Sequence, residues 1–181
     1  MTEGTEPLPS TPLRLAALEV EAHVAADGWD QQPRLYALVR TAALVEAEPS
    51  LAAQLAVPLR DAPDGFTTIE QELDLAGRPL EEVLPGIEWP AAVDGCAAVV
   101  ERIMLPPEAE ADLPDDPDAL ARTVAAHPQR RDVRLVAAVD RAGDRHSAVR
   151  ARTPDDAELL EGPDLLPGLV QALLDTLDHT S

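Results

Sequence analysis

The chain contains no lysine. Without a lysine amine there is no Schiff base, no attachment point for pyridoxal phosphate and no standard phosphate-binding loop. A single cysteine, Cys96, excludes an internal disulfide, and its run GCAAVV marks it as a small buried hydrophobe. Aromatic residues are only Trp29, Tyr36, Phe66 and Trp89, so a core must be assembled from alanine, leucine and valine. The sequence has no uncharged apolar run of about 18 residues and no basic start leading into an apolar stretch. It therefore reads as a cytoplasmic protein that does not span a membrane.

What the chain has is acid. Thirty-four aspartates and glutamates face 14 arginines over 181 residues, a formal net charge of −20. The excess is uneven. Residues 61–118 hold 16 acids and two arginines, a net of −14, while residues 130–152 hold seven arginines and three acids, a net of +4. A phosphate backbone is repelled by such a molecule, which argues against nucleic acid as a partner. Segregated charge steers association with other proteins and sets solubility.

Residues 1–10 read as a polar, proline-containing tail, and residues 11–181 as a single domain. Thr11 and Pro12 predict a helix to about Ala26, stopped by Gly28. RLYALV (34–39) predicts a strand, followed by a helix from Thr41 and a short turn capped by Ser50. PLRDAPDG (58–65) reads as a loop, FTTIEQEL (66–73) as a half-buried strand and PLEEVL (79–84) as a short helix. GCAAVVERIML (95–105) is apolar on both faces at its start, as a central strand is. Asp116 and Pro117 open another helix. DVRLVAAVD and RHSAVRAR then flank RAGD as a hairpin, with Gly143 free to take a positive φ. A leucine-rich stripe after Asp164 predicts the last helix. Hairpins and a helix-led start favour an α+β fold, with an antiparallel sheet of about five strands packed by helices. With the short helices set aside, the order α-β-β-β-α-β-β-α resembles the type III secretion chaperone-like fold.

Chemistry is sparse along the chain. The four histidines, His23, His127, His146 and His179, lie far from one another and from Cys96, so no zinc spacing exists. Asp112, Asp115, Asp116 and Asp118 crowd together, yet a calcium loop needs glycine sixth and glutamate twelfth, where Pro117 and Thr123 stand. No serine sits in a nucleophile elbow or a Ser-x-x-Lys pair. Glu70, Glu72, Glu81, Glu82 and Glu88 offer carboxylate pairs, as any strongly acidic chain does. No catalytic residue, cofactor site or metal ligand is assigned. GWDQQPRLYALVRTAAL (28–44) concentrates two of the four aromatics at a helix-to-strand junction. Trp29 there is either a plug between helix and sheet, with Asp30 satisfying a turn amide, or part of a partner-binding lip. The candidate partner surface comprises Trp29, Asp30, Arg130, Arg131, Arg134, Arg150 and Arg152.

Four blocks carry a resemblance: GWDQQPRLYALVRTAAL, IEWPAAVDGCAAVVER (87–102), LPPEAEADLPDDP (105–117) and GPDLLPGLVQALLDTL (162–177). Together they resemble an uncharacterised actinobacterial family of acidic cytosolic proteins with a GWDQPPRLFALV-type block, over roughly residues 12–178. Gln32 and Tyr36 depart from that block, which has Pro and Phe. The resemblance implies a cytosolic bacterial protein and transfers no activity. The reading that follows is a non-enzymatic protein-binding or chaperone-like module with an unidentified protein partner and a possible homodimer. The alternative is a small hydrolase or lyase using carboxylates with His23 or His127.

Overall fold

A computed structural model describes residues 8–154 and 157–178. The first helix, α1 (Pro12–Ala26), begins where Thr11 accepts a hydrogen bond from the Arg14 amide at 3.1 Å. It ends at Gly28, whose φ of +86° suits a residue without Cβ. β1 (Arg34–Arg40) runs directly into α2 (Thr41–Ala47), a 3-10 turn and α3 (Ala52–Asp61). β2 (Phe66–Gln71), α4 (Leu80–Val83) and a second 3-10 turn lead to β3 (Gly95–Met104). One-turn α5 (Pro107–Glu110) and α6 (Pro117–Ala126) follow; Asp116 caps α6 through the Ala119 amide at 3.0 Å. β4 (Arg131–Asp140), β5 (Arg145–Ala151), β6 (Leu160–Gly162) and α7 (Pro167–Asp178) complete the described chain.

The strands form one antiparallel sheet in the order β2-β1-β3-β4-β5-β6. The expected α+β class and antiparallel pairing hold, with six strands instead of about five. The added strand, β6, is three residues long and contains a glutamate and a glycine, too short for an alternating pattern to show. With the short helices set aside, the order is α-β-β-β-α-β-β-β-α, one strand more than expected before the last helix. α6, the central helix of that order, buries none of its residues.

Alternation divides the core into two. Tyr36, Leu38, Ala97, Val99, Val136, Ala138 and Ala148 face α1, which inserts Leu13, Ala16, Ala17, Val20 and Val24. Leu35, Ala37, Cys96, Ala98, Val100, Leu135, Ala137 and Val139 face the other way, onto Leu169, Val170, Leu173 and Leu177 of α7 and onto Leu80, Leu84 and Trp89. The small residues on β3 and β4 let both helices approach closely. Gly95 is required at the β3–β4 pairing, because a Cβ there would stand 2.4 Å from the Val139 carbonyl oxygen. The β4–β5 turn is held by Asp140, whose Oδ1 accepts from the amides of Ala142 and Asp144, with Gly143 at φ +90°. Cys96 is fully buried, as its run predicts.

One local expectation fails. Residues 58–61 are helical, not loop: α3 continues through Pro58. The proline removes an amide that would bond the Gln54 carbonyl, and Gln54 is exposed to water. The expected tail, residues 1–10, and His179 lie wholly or in part outside the described residues.

Candidate functional site

Residues 28–31 form the turn between α1 and β1. Asp30 takes a φ of +66°, and this left-handed kink points two successive amides at one carboxylate. Glu101 on β3 accepts from Asp30 N at 2.8 Å and from Gln31 N at 2.7 Å. The Gln31 side-chain amide donates to the Val24 and Gly28 carbonyls, closing the end of α1. Trp29 lies against the guanidinium of Arg134, 4.3 Å from ring centroid to Cζ, with Arg152 at 5.6 Å. Arg134 is 1 % exposed and donates to the Gly28 carbonyl. Arg152 makes a two-pronged contact with Asp30 at 2.9 and 3.0 Å. Those hydrogen bonds hold the Asp30 carboxyl below the usual carboxylate range. The turn amides are therefore satisfied by Glu101, and Asp30 serves Arg152.

Arg150, Arg141 and Arg145 of the cationic stretch are also engaged within the chain. Arg150 binds Glu21, which is buried on α1, at 2.5 and 3.1 Å. Arg141 donates to the Val93 and Leu177 carbonyls at 2.7 Å each. Arg145 stands 3.6 Å from Asp164. Near the start of α1, Arg14 grips both oxygens of Glu161, and His146 Nε2 lies 2.9 Å from the same carboxylate. Arg14 holds the Glu161 carboxyl below its ordinary value despite partial burial, and His146 adds to that. Arg134, Arg150 and Arg152 thus fasten α1 and its turn to the sheet. Of the seven candidate partner residues, Trp29, Asp30, Arg134, Arg150 and Arg152 meet one another or α1. Arg130 and Arg131 stand apart, exposed where β4 begins.

Arg130 and Arg131 border a groove of about 1030 Å³. Its floor is the α7-side face of the sheet at the end that α7 does not reach. Val133, Val149 and Ala151 lie there, beside Met104 and Leu160. Met104 is 52 % exposed and Leu160 61 % exposed. Glu108 and Glu158 complete the rim. Arg130 donates to the Ala125 carbonyl at the end of α6 and lies 3.9 Å from Asp132. Arg131 has no ion pair among the described residues.

Among the described residues no histidine lines the groove. His127 accepts from the Gln129 amide through Nδ1. His23 is exposed and borders a cavity of about 200 Å³ with Glu19, Tyr36, Thr68 and Glu70. Among the described residues no three His, Cys, Asp or Glu side chains are placed to hold a metal ion. Within the 112–118 cluster, Asp116 serves as a helix cap.

The sequence profile of the PPA1309-like protein family matches residues 13–178. The chain belongs to that family. The match covers the helix α1, the whole sheet and α7, so the arginine clasps and the groove both lie within the family's extent. No curated protein and no solved structure matches the chain.

Glu21, Glu101, His146 and Glu161, which organise the α1 face, had no motif to announce them. The one signal was their position: Glu21 falls on the apolar stripe of α1, and Glu101 continues the inward alternation of β3 from Ala97 and Val99.

Proposed function

We propose that this PPA1309-like protein is a non-catalytic, cytoplasmic protein-docking module, and that the groove at the β3–β6 end is its docking surface. The observation that carries this reading is the exposure of Met104 and Leu160 in a groove beside Arg131, which has no ion pair among the described residues, on a chain of net charge −20. Large apolar side chains left in water inside a concavity mark a place where another polypeptide sits. Arginine is enriched at such interfaces, because its planar donors and its alkyl stem serve carboxylates and apolar surface together. The groove therefore suits a segment in which a carboxylate stands among apolar side chains. A hydrolase or lyase draws less support. The best-placed histidine and carboxylate, His146 and Glu161, are closed upon each other and upon Arg14.

Fluorescence anisotropy with two labelled ten-residue peptides tests the reading. One alternates leucine with glutamate, the other leucine with arginine. The acidic peptide is expected to bind, and Leu160→Asp and Arg131→Glu each to weaken it about tenfold or more, a change of about 1.4 kcal/mol. Equal binding of both peptides, or binding that ignores both substitutions, refutes the groove as the docking surface.

A further inference from the structure

We infer that β2 is a second interaction surface, at the far edge of the sheet, and that it takes an extended basic segment of another protein as an added strand. The inference goes beyond the groove and does not depend on it. β2 ends the strand order, and among the described residues no strand pairs with its outer side. The direction of its free groups follows from one bond. Thr41 N–H donates to the Gly65 carbonyl at 3.0 Å, next to the pair Arg40 and Phe66. Hydrogen-bonded and open pairs alternate along an antiparallel ladder. Thr67, Ile69 and Gln71 therefore turn their amides and carbonyls to β1, and Phe66, Thr68 and Glu70 turn theirs outward. Main-chain groups in that position are what an added strand bonds to.

Natural sheet edges are blunted by shortness, proline, bulges or charge. β6, the other edge, is three residues long. β2 has six residues, no proline and an unbroken register with β1, so charge alone guards it. That charge is acid. Residues 61–77 contain Asp61, Asp64, Glu70, Glu72 and Asp74 and no arginine. The arginines of β1 are committed, Arg34 to Asp27 and Glu70, and Arg40 to the Asp64 carbonyl and the Phe66 ring. Such an edge repels another copy of this acidic chain and attracts a basic strand. Both faces of the edge receive side chains. On the α7 side Ile69 is 40 % exposed, open to an apolar neighbour. On the α1 side lies the cavity of about 200 Å³ that Glu19, His23, Tyr36, Thr68 and Glu70 border. Tyr36 is 3 % exposed, and its hydroxyl has no hydrogen-bond partner among the described residues. The Arg34 guanidinium lies near it but outside hydrogen-bond geometry. A lysine ammonium carries only donors, and Glu19, Glu70 and the Tyr36 hydroxyl offer acceptors around one cavity.

Fluorescence anisotropy with two labelled peptides of equal length and charge provides the test. One alternates valine with lysine. The other has proline in place of every valine and cannot pair along an edge. The first is expected to bind at least about tenfold more tightly. Hydrogen exchange read by nuclear magnetic resonance should show the Thr68 and Glu70 amides protected in the complex. Thr68→Pro removes an outward amide and leaves the bonds to β1 in place, so it should weaken binding at least about tenfold, as should Glu70→Lys. Circular dichroism checks that both variants fold; if one does not, the peptide comparison and the amide protection on the wild type decide. Equal binding of the two peptides, no binding, Thr68 and Glu70 amides that stay unprotected, or full affinity in a folded Thr68→Pro chain each overturns the inference. The leucine–arginine peptide can also enter this edge, so the groove test compares its two peptides on a folded edge variant. The two surfaces then stand or fall separately.

Discussion

Replacing Arg134 separates packing from charge at the 28–31 turn. The guanidinium is 1 % exposed, stacks on Trp29 at 4.3 Å and donates to the Gly28 carbonyl. No carboxylate lies within ion-pair distance of it among the described residues, although Glu101 is its cross-strand neighbour. Arg134→Met keeps an unbranched side chain beneath the indole and removes the charge. The stacking is worth about 2 kcal/mol when desolvated and the charged hydrogen bond about 1.5–3 kcal/mol. Gly28 O retains the Gln31 amide at 2.5 Å, so the acceptor is not orphaned and the lower half of that range applies. Against this loss stands the removal of a burial penalty of several kcal/mol for a cation. The two nearly cancel, and Arg134→Met should fall within about 1 kcal/mol of wild type. Arg134→Ala also empties the space under Trp29 and should cost about 3–5 kcal/mol. Urea titration followed by circular dichroism and by tryptophan emission measures both variants. A methionine variant as unstable as the alanine variant would show that charge, not bulk, holds the turn, and the reasoning would fail.

Leu173→Ala, at a fully buried site on α7, should cost about 2–5 kcal/mol in the same titration; a loss under about half a kcal/mol would mean that α7 does not hold the sheet. Acid should act late. The Glu161 and Asp30 carboxyls are held below their ordinary values by arginine, so their stabilisation is complete above the unfolded value near about 4 and is lost as pH falls through the lower folded value. The thermal midpoint should hold between pH 7 and about 5.5 and drop below about 4, with Glu161→Gln flattening the drop. A steady decline already between pH 7 and 5.5 contradicts this. Burial pushes the Cys96 thiol up to about 12, so a disulfide reagent at pH 8 should label it only in denaturant, and rapid labelling of the native protein would refute the packing around it.

The regular elements were legible where a local rule decides them. Thr11 with Pro12, Asp116 with Pro117, and Gly143 between two alternating runs each state a boundary within four residues. Pro58 misled because proline is a helix breaker only where the lost bond matters, and α3 is exposed. β6 was invisible because three residues carry no period; its pairing with β5 is what defines it. The site was less legible still. Trp29 stood out as an aromatic, but whether it packs or binds depends on Arg134 and Arg152, more than a hundred positions away. The cationic stretch looked like a surface because its partners, Glu21, Asp30 and Asp164, come from elsewhere in the chain. The groove is built from three chain segments that share no motif, so only the sheet brings Met104, Arg131 and Leu160 together.

The order β2-β1-β3-β4-β5-β6 also sets the sequence in which the sheet can be assembled. β4 and β5 are joined by residues 141–144, and β5 and β6 by residues 152–159, so these pairings close short loops. β1 is different. It pairs with β2 only after residues 41–65 have been looped out, and with β3 only after residues 41–94 have been. Closing a longer loop costs more chain entropy before any contact repays it. The C-terminal hairpins can therefore form as a local unit, while β1 and α1 join by long-range contacts. During synthesis the early elements leave the ribosome without the strands they need, so α1 and its apolar stripe wait, uncovered, for half the chain to arrive.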